Sequence, residues 1–252
     1  MVNLALAWAE QYQMLNSDVN ISVSGGGSGT GITSLINGTT DLANASRELK
    51  PIEYEEAVKN GVLPQEIVVA RDAIAVIVNP SNPVGELTLL QISSIYKGEI
   101  NNWKEVGGDD LQIVRLSRET NSGTHVYFLE TVIRLGDFED KSIFSPTTLL
   151  LPSSEGIISE VRDNPHAIGY DGLGYITDEV KMVAVAKDPK SPYIIPSVNT
   201  VNNNQYPISR DLYIYTNKNS EVYINKYISW ILSSEAQDIV LELGFVPIIA
   251  GD

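Results

Sequence analysis

Residues 24–36 read SGGGSGTGITSLI, and residues 116–128 read LSRETNSGTHVYF. In each stretch a Ser-Gly-Thr turn follows a strand-like run and precedes apolar residues at helical spacing. The first N–H groups of a helix have no partner inside it and lie at the positive end of its dipole. A glycine turn with hydroxyl donors at such a point is typical of an anion site. Two copies, one in each half of the chain, predict two helix N-termini that face one anion.

One such turn alone is equally typical of a helix N-cap beside a flexible loop. The first turn is not a nucleoside-triphosphate loop, because no Gly-Lys-Ser or Gly-Lys-Thr follows Gly27. It also lacks the downstream acidic residue and the context of a dinucleotide-binding turn.

Two arginines lie close to these turns in sequence. Arg47 and Arg118 each stand in a Ser-Arg-Glu triplet at the end of a predicted strand, where open α/β sheets bind ligands. A guanidinium fork matches two oxygens of a tetrahedral anion. The alternative is two surface ion pairs with Glu48 and Glu119, but the repeated context favours an anion site.

The composition excludes several classes of protein. The 252 residues include 17 Lys and Arg against 32 Asp and Glu, a net charge of −15, which argues against a nucleic-acid binder or a polybasic membrane-surface protein. The absence of cysteine excludes disulfides and thiolate chemistry. Two distant histidines, His125 and His166, make a metal centre improbable. If an anion binds, we expect a small positive pocket in an acidic protein.

The order of elements predicts an α/β protein with mostly parallel sheets. Helices are predicted at both turns and over residues 1–15, 51–60, 88–97 and 153–162, and two more close the chain. The last of these begins with a predicted capping box, Ser234-x-x-Gln237. Residues 19–23 alternate like a short strand, residues 67–70 and 73–79 resemble two strands, and residues 188–207 have the composition of a loop.

Six blocks together carry a family resemblance. Besides the two turns with their arginines, they are RDAIAVIVNP (71–80), IYKGEINNW (95–103), IGYDGLGYI (168–176) and YPISRDLYIY (206–215). In this order, over nearly the whole chain, they resemble the phosphate-binding proteins of phosphate ABC importers.

The resemblance implies a type II periplasmic-binding-protein (Venus-flytrap) fold, with two α/β lobes joined by two crossing hinge strands and phosphate in the cleft. Lobe one would comprise residues 1–75 and 208–252, and lobe two residues 76–207. The implied protein is an extracytoplasmic, monomeric substrate-binding protein that delivers phosphate to an ABC permease. It is not an enzyme and needs no cofactor or metal. The alternatives are a binding protein for sulfate or molybdate, and a phosphate-handling enzyme or sensor on the same fold.

The resemblance also assigns phosphate-binding residues. In the first half they are Ser28, Gly29, Thr30, Ser46 and Arg47. In the second half they are Arg118, Ser122, Gly123 and Thr124. Their implied role is to donate hydrogen bonds to phosphate oxygens.

Two departures from the family pattern lead to further expectations. Family members normally begin with a strand whose loop carries hydroxyl donors, and this sequence starts just after the position of that loop. We expect either that the sequence is clipped or that another segment substitutes. If nothing substitutes, we expect weakened phosphate binding and an open sheet position that recruits a strand from another chain. No carboxylate that would accept the phosphate proton is evident, and Asp171 and Glu119 are the candidates. For these two, a solvated Asp and an Arg-paired Glu are the commoner roles.

Overall fold

The computed structural model describes residues 1–25, 28–120, 122–137, 139–219 and 221–248. The chain divides into two compact units. Unit one comprises Met1–Asp72 and Arg210–Asp252, and unit two comprises Ala73–Ser209. The boundaries thus fall at 72/73 and 209/210, beside the expected 75/76 and 207/208. Each unit combines helices with strands, which confirms the predicted α/β class.

In chain order, the helices and strands of the described residues are α1 (Val2–Leu15), α2 (Ser28–Ile36), β1 (Leu42–Ala45), α3 (Pro51–Lys59), β2 (Pro64–Val78), β3 (Glu86–Thr88), α4 (Leu89–Lys97), β4 (Val114–Arg118), α5 (Gly123–Phe128), β5 (Leu149–Leu151), α6 (Ser154–Asp163), β6 (Ala167–Gly172), β7 (Lys181–Met182), β8 (Ala184–Ala186), α7 (Val198–Asn202), β9 (Ser209–Asn217), α8 (Val222–Ile231) and α9 (Ser234–Glu242). Short 3-10 turns occupy Trp103–Val106 and Leu173–Tyr175, and a π-helical turn, Leu129–Ile133, continues α5.

The first helix is anchored in unit one by a single apolar face. Leu4, Trp8 and Tyr12 recur at intervals of four residues and are all buried. The Trp8 indole N–H also donates to the Ala236 carbonyl in α9, at 2.9 Å. The last predicted member of this face, Leu15, is exposed at the end of the helix.

The sheet of unit one places α2 beside the end of a strand. Strand β1 pairs antiparallel with β9, which lies between β1 and β2. Helix α2 packs on β1, and a Cβ atom on Gly31 would lie 3.5 Å from the Asn44 carbonyl oxygen and 3.6 Å from the Ala43 Cβ. The absence of a side chain at Gly31 therefore lets the helix approach the strand closely.

The sheet of unit two is mixed, which corrects the expectation of mostly parallel pairing. Strands β5, β4 and β6 are neighbours and run parallel. Strand β2, which carries the chain into this unit, runs antiparallel to both β6 and β7. The alternation of helices and strands predicts parallel βαβ units, but it does not report the direction of a strand that enters from elsewhere in the chain.

Helix α4 begins and ends where its sequence signals predict. The Thr88 hydroxyl accepts a hydrogen bond from the Gln91 N–H at 3.2 Å, and the Gln91 side chain accepts one from the Thr88 N–H at 2.9 Å. Gly98 follows the helix with a φ of 82°, a left-handed conformation that favours glycine. The capping box and the glycine stop together fix both ends of α4.

Three local expectations about strands and loops are wrong. Residues 19–23 alternate in polarity but form no strand, although Val19 and Ile21 pack against the core of unit one. A strand needs a partner for its backbone groups, and alternation alone does not supply one. The two strands expected at 67–70 and 73–79 are one continuous strand, β2. The segment expected to be a loop, 188–207, contains the short helix α7.

The capping box predicted for the last helix is also wrong. Ser233, one residue earlier, provides the cap, and its hydroxyl accepts from the Ala236 N–H at 3.5 Å. Gln237 is buried, and its amide donates to the carbonyls of Val69 and Ile231. The Gln237 side-chain oxygen accepts from the Ile248 N–H at 3.0 Å, so the acceptor that a capping box would use is engaged elsewhere.

Candidate functional site

In unit one the start of α2 lies against the end of β1. The Ser46 N–H donates to the Ser28 hydroxyl oxygen at 3.0 Å, and the two hydroxyl oxygens are 3.2 Å apart. An Nη atom of Arg47 lies 3.8 Å from where a Cβ on Gly29 would be. Four of the predicted residues, Ser28, Gly29, Ser46 and Arg47, are therefore neighbours, and we call them donor set one. The fifth, Thr30, is exposed in the first turn of α2.

Arg47 is held by a carboxylate that sequence reasoning missed. Its two Nη atoms donate to the two carboxylate oxygens of Glu53 at 2.8 and 2.7 Å. Glu53 lies in the first turn of α3 and also accepts from the Lys50 N–H at 2.8 Å. The hydrogen bond from Arg47 lowers the pKa of Glu53, so the pair is ionised at neutral pH. The alternative partner Glu48 offers Arg47 its backbone carbonyl at 2.9 Å.

In unit two Arg118 ends strand β4, and its guanidinium is fixed from two sides. One Nη atom donates to the Ser154 hydroxyl oxygen at 2.7 Å, and the other donates to the Pro152 carbonyl at 3.1 Å. On the opposite side, a carboxylate oxygen of Asp171 lies 3.6 Å from the same Nη atom that contacts Ser154. Glu119, the expected partner, is exposed.

The Ser-Gly-Thr turn follows directly and is tied to the end of β4. The Ser122 N–H donates to the Glu119 carbonyl at 2.9 Å, and the Ser122 hydroxyl accepts from the Thr124 N–H at 3.3 Å. Ser122 is thus the N-cap of α5, which begins at Gly123. We call Arg118, Ser122, Gly123 and Thr124 donor set two. Asn121, which precedes Ser122 in this turn, lies outside the described residues.

A buried polar network contacts the end of β4 next to donor set two. The His125 Nδ1 atom lies 3.0 Å from both the Arg118 carbonyl and the Ser117 hydroxyl, and that hydroxyl is 2.6 Å from the Tyr170 hydroxyl. Burial lowers the pKa of His125 and raises that of Tyr170. Both groups are therefore neutral at neutral pH. His125 is buried and makes its hydrogen bonds within this network.

Each donor set contains one arginine with a carboxylate beside it. Glu53 faces Arg47, and Asp171 faces Arg118. The positive charge that the sequence led us to expect is therefore offset within each unit, and the backbone and hydroxyl dipoles carry the remaining attraction for an anion.

A metal site and a membrane-spanning helix are both absent from the described residues. Within this part of the chain, no group of three His, Asp or Glu side chains is arranged to hold a metal ion. Over the same part, no helix is both long and apolar enough to cross a membrane.

Comparison with known proteins places the chain among binding proteins. The family model described as "PBP superfamily domain" matches residues 2–235. The phosphate-binding protein PstS of Pseudomonas aeruginosa is 32% identical, over 99% of this chain and 81% of that protein. PstS of Borreliella burgdorferi is 31% identical, over 94% of this chain and 83% of that protein.

Solved structures give the same result. An ABC-type phosphate transport receptor from Vibrio cholerae is 30% identical with a TM-score of 0.84, over 97% of this chain and 95% of that chain. A putative phosphate ABC transporter substrate-binding protein from Clostridium perfringens, solved with bound phosphate, is 33% identical with a TM-score of 0.80, over 98% of this chain and 96% of that chain. The resemblance stated from the sequence is confirmed, and the chain belongs to the PBP superfamily and, within it, to the family of the phosphate-binding proteins PstS.

Proposed function

We propose that this protein captures inorganic phosphate and delivers it to the permease of an ABC importer. One observation carries the proposal. Each unit of a chain from the PstS family presents an arginine and serine hydroxyls at the end of a strand, beside the start of a helix. An arrangement of this kind offers several hydrogen-bond donors to an oxyanion.

Donor set one and donor set two would each supply hydrogen-bond donors to phosphate. An oxyanion that leaves water loses its hydration, and this loss is costly unless protein donors replace the water molecules. The backbone N–H groups at the starts of α2 and α5, the hydroxyls of Ser28, Ser46 and Ser122, and the two guanidiniums would replace them. We include the exposed Thr30 among the candidates because it lies in the first turn of α2.

Phosphate binding would also supply a transport signal. A ligand that binds one conformation of a protein better than another shifts the population toward that conformation, and the permease would recognise the phosphate-bound form. The proposal includes an extracytoplasmic location and a monomeric protein. Binding of sulfate or molybdate at the same donor sets is the alternative that the experiment below separates.

Thermal unfolding in the presence of single anions tests the proposal. A ligand that binds only the native state stabilises it by RT ln(1 + [L]/Kd), about 2.7 kcal/mol at a hundredfold excess over Kd. For a protein of this size that energy corresponds to a rise of roughly 5–10 °C in Tm. We expect this rise with phosphate and less than about 1 °C with sulfate or molybdate at equal ionic strength. A rise with sulfate and none with phosphate would refute the proposed ligand.

A further inference from the structure

The register of three parallel strands in unit two brings the side chains of Asp171 and Ser154 to Arg118. Val114 in β4 pairs with Ala167 in β6, and four residues further along these strands stand Arg118 and Asp171. On the other side of β4, Arg118 itself pairs with Leu151 in β5, after which the chain turns into α6. The three strands therefore end at the same level, with Arg118 between β6 and the start of α6.

Ser154 makes the shortest contact with the guanidinium. It is the first residue of α6, its side chain is buried, and its hydroxyl oxygen lies 2.7 Å from an Nη atom of Arg118. The Pro152 carbonyl accepts from the other Nη atom. These two contacts use two of the five N–H donors of Arg118. The Nε atom is buried and has no hydrogen-bond partner among the described residues.

Asp171 provides a negative charge close to the Arg118 guanidinium. Its side chain is 1% exposed, and one carboxylate oxygen accepts from the Gly172 N–H at 2.8 Å. The 3.6 Å separation from the Arg118 Nη atom is an ion-pair distance and exceeds a good hydrogen bond. Asp171 therefore attracts the guanidinium, and the Ser154 hydroxyl determines which way the guanidinium plane faces.

We propose that Ser154 is a positioning residue for phosphate capture, which acts by holding Arg118 so that the guanidinium N–H donors not used within unit two stay available to the ligand. The inference rests on the proposed function, because it assigns a role within the same site. Ser154 itself need not contact phosphate. Its neutral hydroxyl adds no charge, so its removal changes only the orientation of Arg118.

The test is a double-mutant cycle on phosphate affinity, measured by calorimetry. We expect Ser154→Ala to weaken phosphate binding about tenfold, since hydrogen bonds to charged groups are among the stronger ones. Ser154→Thr, which keeps the hydroxyl, should restore affinity to within about threefold. In an Arg118→Gln background, Ser154→Ala should change affinity by less than about twofold, because the group it positions is gone.

Ser153→Ala is the matched control. Ser153 is the adjacent serine and caps α6 by accepting from the Gly156 N–H at 3.1 Å. We expect this variant to lower Tm while it leaves phosphate affinity within about twofold. An equal loss of affinity in Ser153→Ala and Ser154→Ala, or the same loss with and without Arg118, would overturn the inference.

The same data separate this inference from the proposed function. If the unsubstituted protein binds phosphate and Arg118→Gln weakens it, the function stands and the Ser154 cycle alone decides the inference. If the unsubstituted protein does not bind phosphate, the proposed function fails, and the inference fails with it.

Discussion

Arg115 is a buried arginine whose replacement by lysine should strongly destabilise unit two. Its side chain is 3% exposed and lies in β4. Its guanidinium donates to the carbonyls of Ile95 and Ile100 and to the side chains of Asn101 and Thr147. These four acceptors are neutral, so hydrogen bonds and the carbonyl end of α4 stabilise the charge.

The expected loss of stability in Arg115→Lys follows from the number of hydrogen-bond acceptors around the guanidinium. A lysine ammonium keeps the charge but lacks the planar fork, and it reaches at most two of the acceptors, which lie in different directions. Burial lowers the pKa of Arg115, which shows that the charged form already lacks the solvation it would have in water. Two lost hydrogen bonds to a charged group, at roughly 1.5–2 kcal/mol each, predict a loss of about 3–4 kcal/mol in the free energy of unfolding.

Urea unfolding, followed by the fluorescence of Trp103, measures this loss. Trp103 is the tryptophan of unit two, and it is buried, so Trp8 and Trp230 are first replaced by phenylalanine in all variants. The control is Arg162→Lys, since that guanidinium is exposed and pairs with carboxylates at the surface, where we expect a change below about 0.5 kcal/mol. A loss of less than about 1 kcal/mol for Arg115→Lys would refute the reasoning.

Three further predictions concern the pair in unit one, the packing in unit two and the role of charge. Glu53→Gln breaks the bidentate pair with Arg47 and should lower the free energy of unfolding by about 1–2 kcal/mol at pH 7. Because the pKa of Glu53 is lowered in the folded protein, its contribution is present above the unfolded pKa and is lost as pH falls through the folded pKa. The difference between the two proteins in thermal unfolding should therefore shrink below about pH 4, and a constant difference from about pH 3 to 7 would contradict this sign. Gly169→Ala should cost about 1–3 kcal/mol by urea unfolding, because its Cβ would lie 2.8 Å from a methyl of Val161 and 2.9 Å from one of Ile157; an unchanged midpoint would mean that α6 can shift freely. Since Arg47 and Arg118 each face a carboxylate, phosphate affinity should fall only about threefold by calorimetry between roughly 0.05 and 0.5 M salt, and a fall of about a hundredfold would indicate an uncompensated positive site.

The grouping of residues within each donor set could be predicted because those residues are local in sequence. A helix N-terminus, its glycine turn and the arginine at a nearby strand end fall within about twenty residues. The carboxylate partner of Arg47, Glu53, lies only six residues away, but the partners of Arg118 are not local. Asp171 reaches Arg118 only through the register of β4 with β6, and Ser154 only through the register of β4 with β5. No spacing rule applied to one strand gives that register, so the sequence favours the adjacent Glu119 as the partner of Arg118.

The fold could be predicted where one segment specifies its own structure. Helix α4 contains its N-cap, its apolar face and its glycine stop, and all three are where the sequence places them. Residues 19–23 have the polarity of a strand, but a strand exists only beside a partner, and the pattern does not report one. The direction of β2 in the mixed sheet is likewise a property of the whole topology.

Calorimetric titration of phosphate into the unsubstituted protein and two single variants tests the central claim most directly. Ser28→Ala removes a hydroxyl of donor set one, and Arg118→Gln removes the guanidinium of donor set two. If both sets supply donors to phosphate, each variant alone weakens phosphate binding by about tenfold or more. A phosphate affinity that neither variant changes would contradict the account.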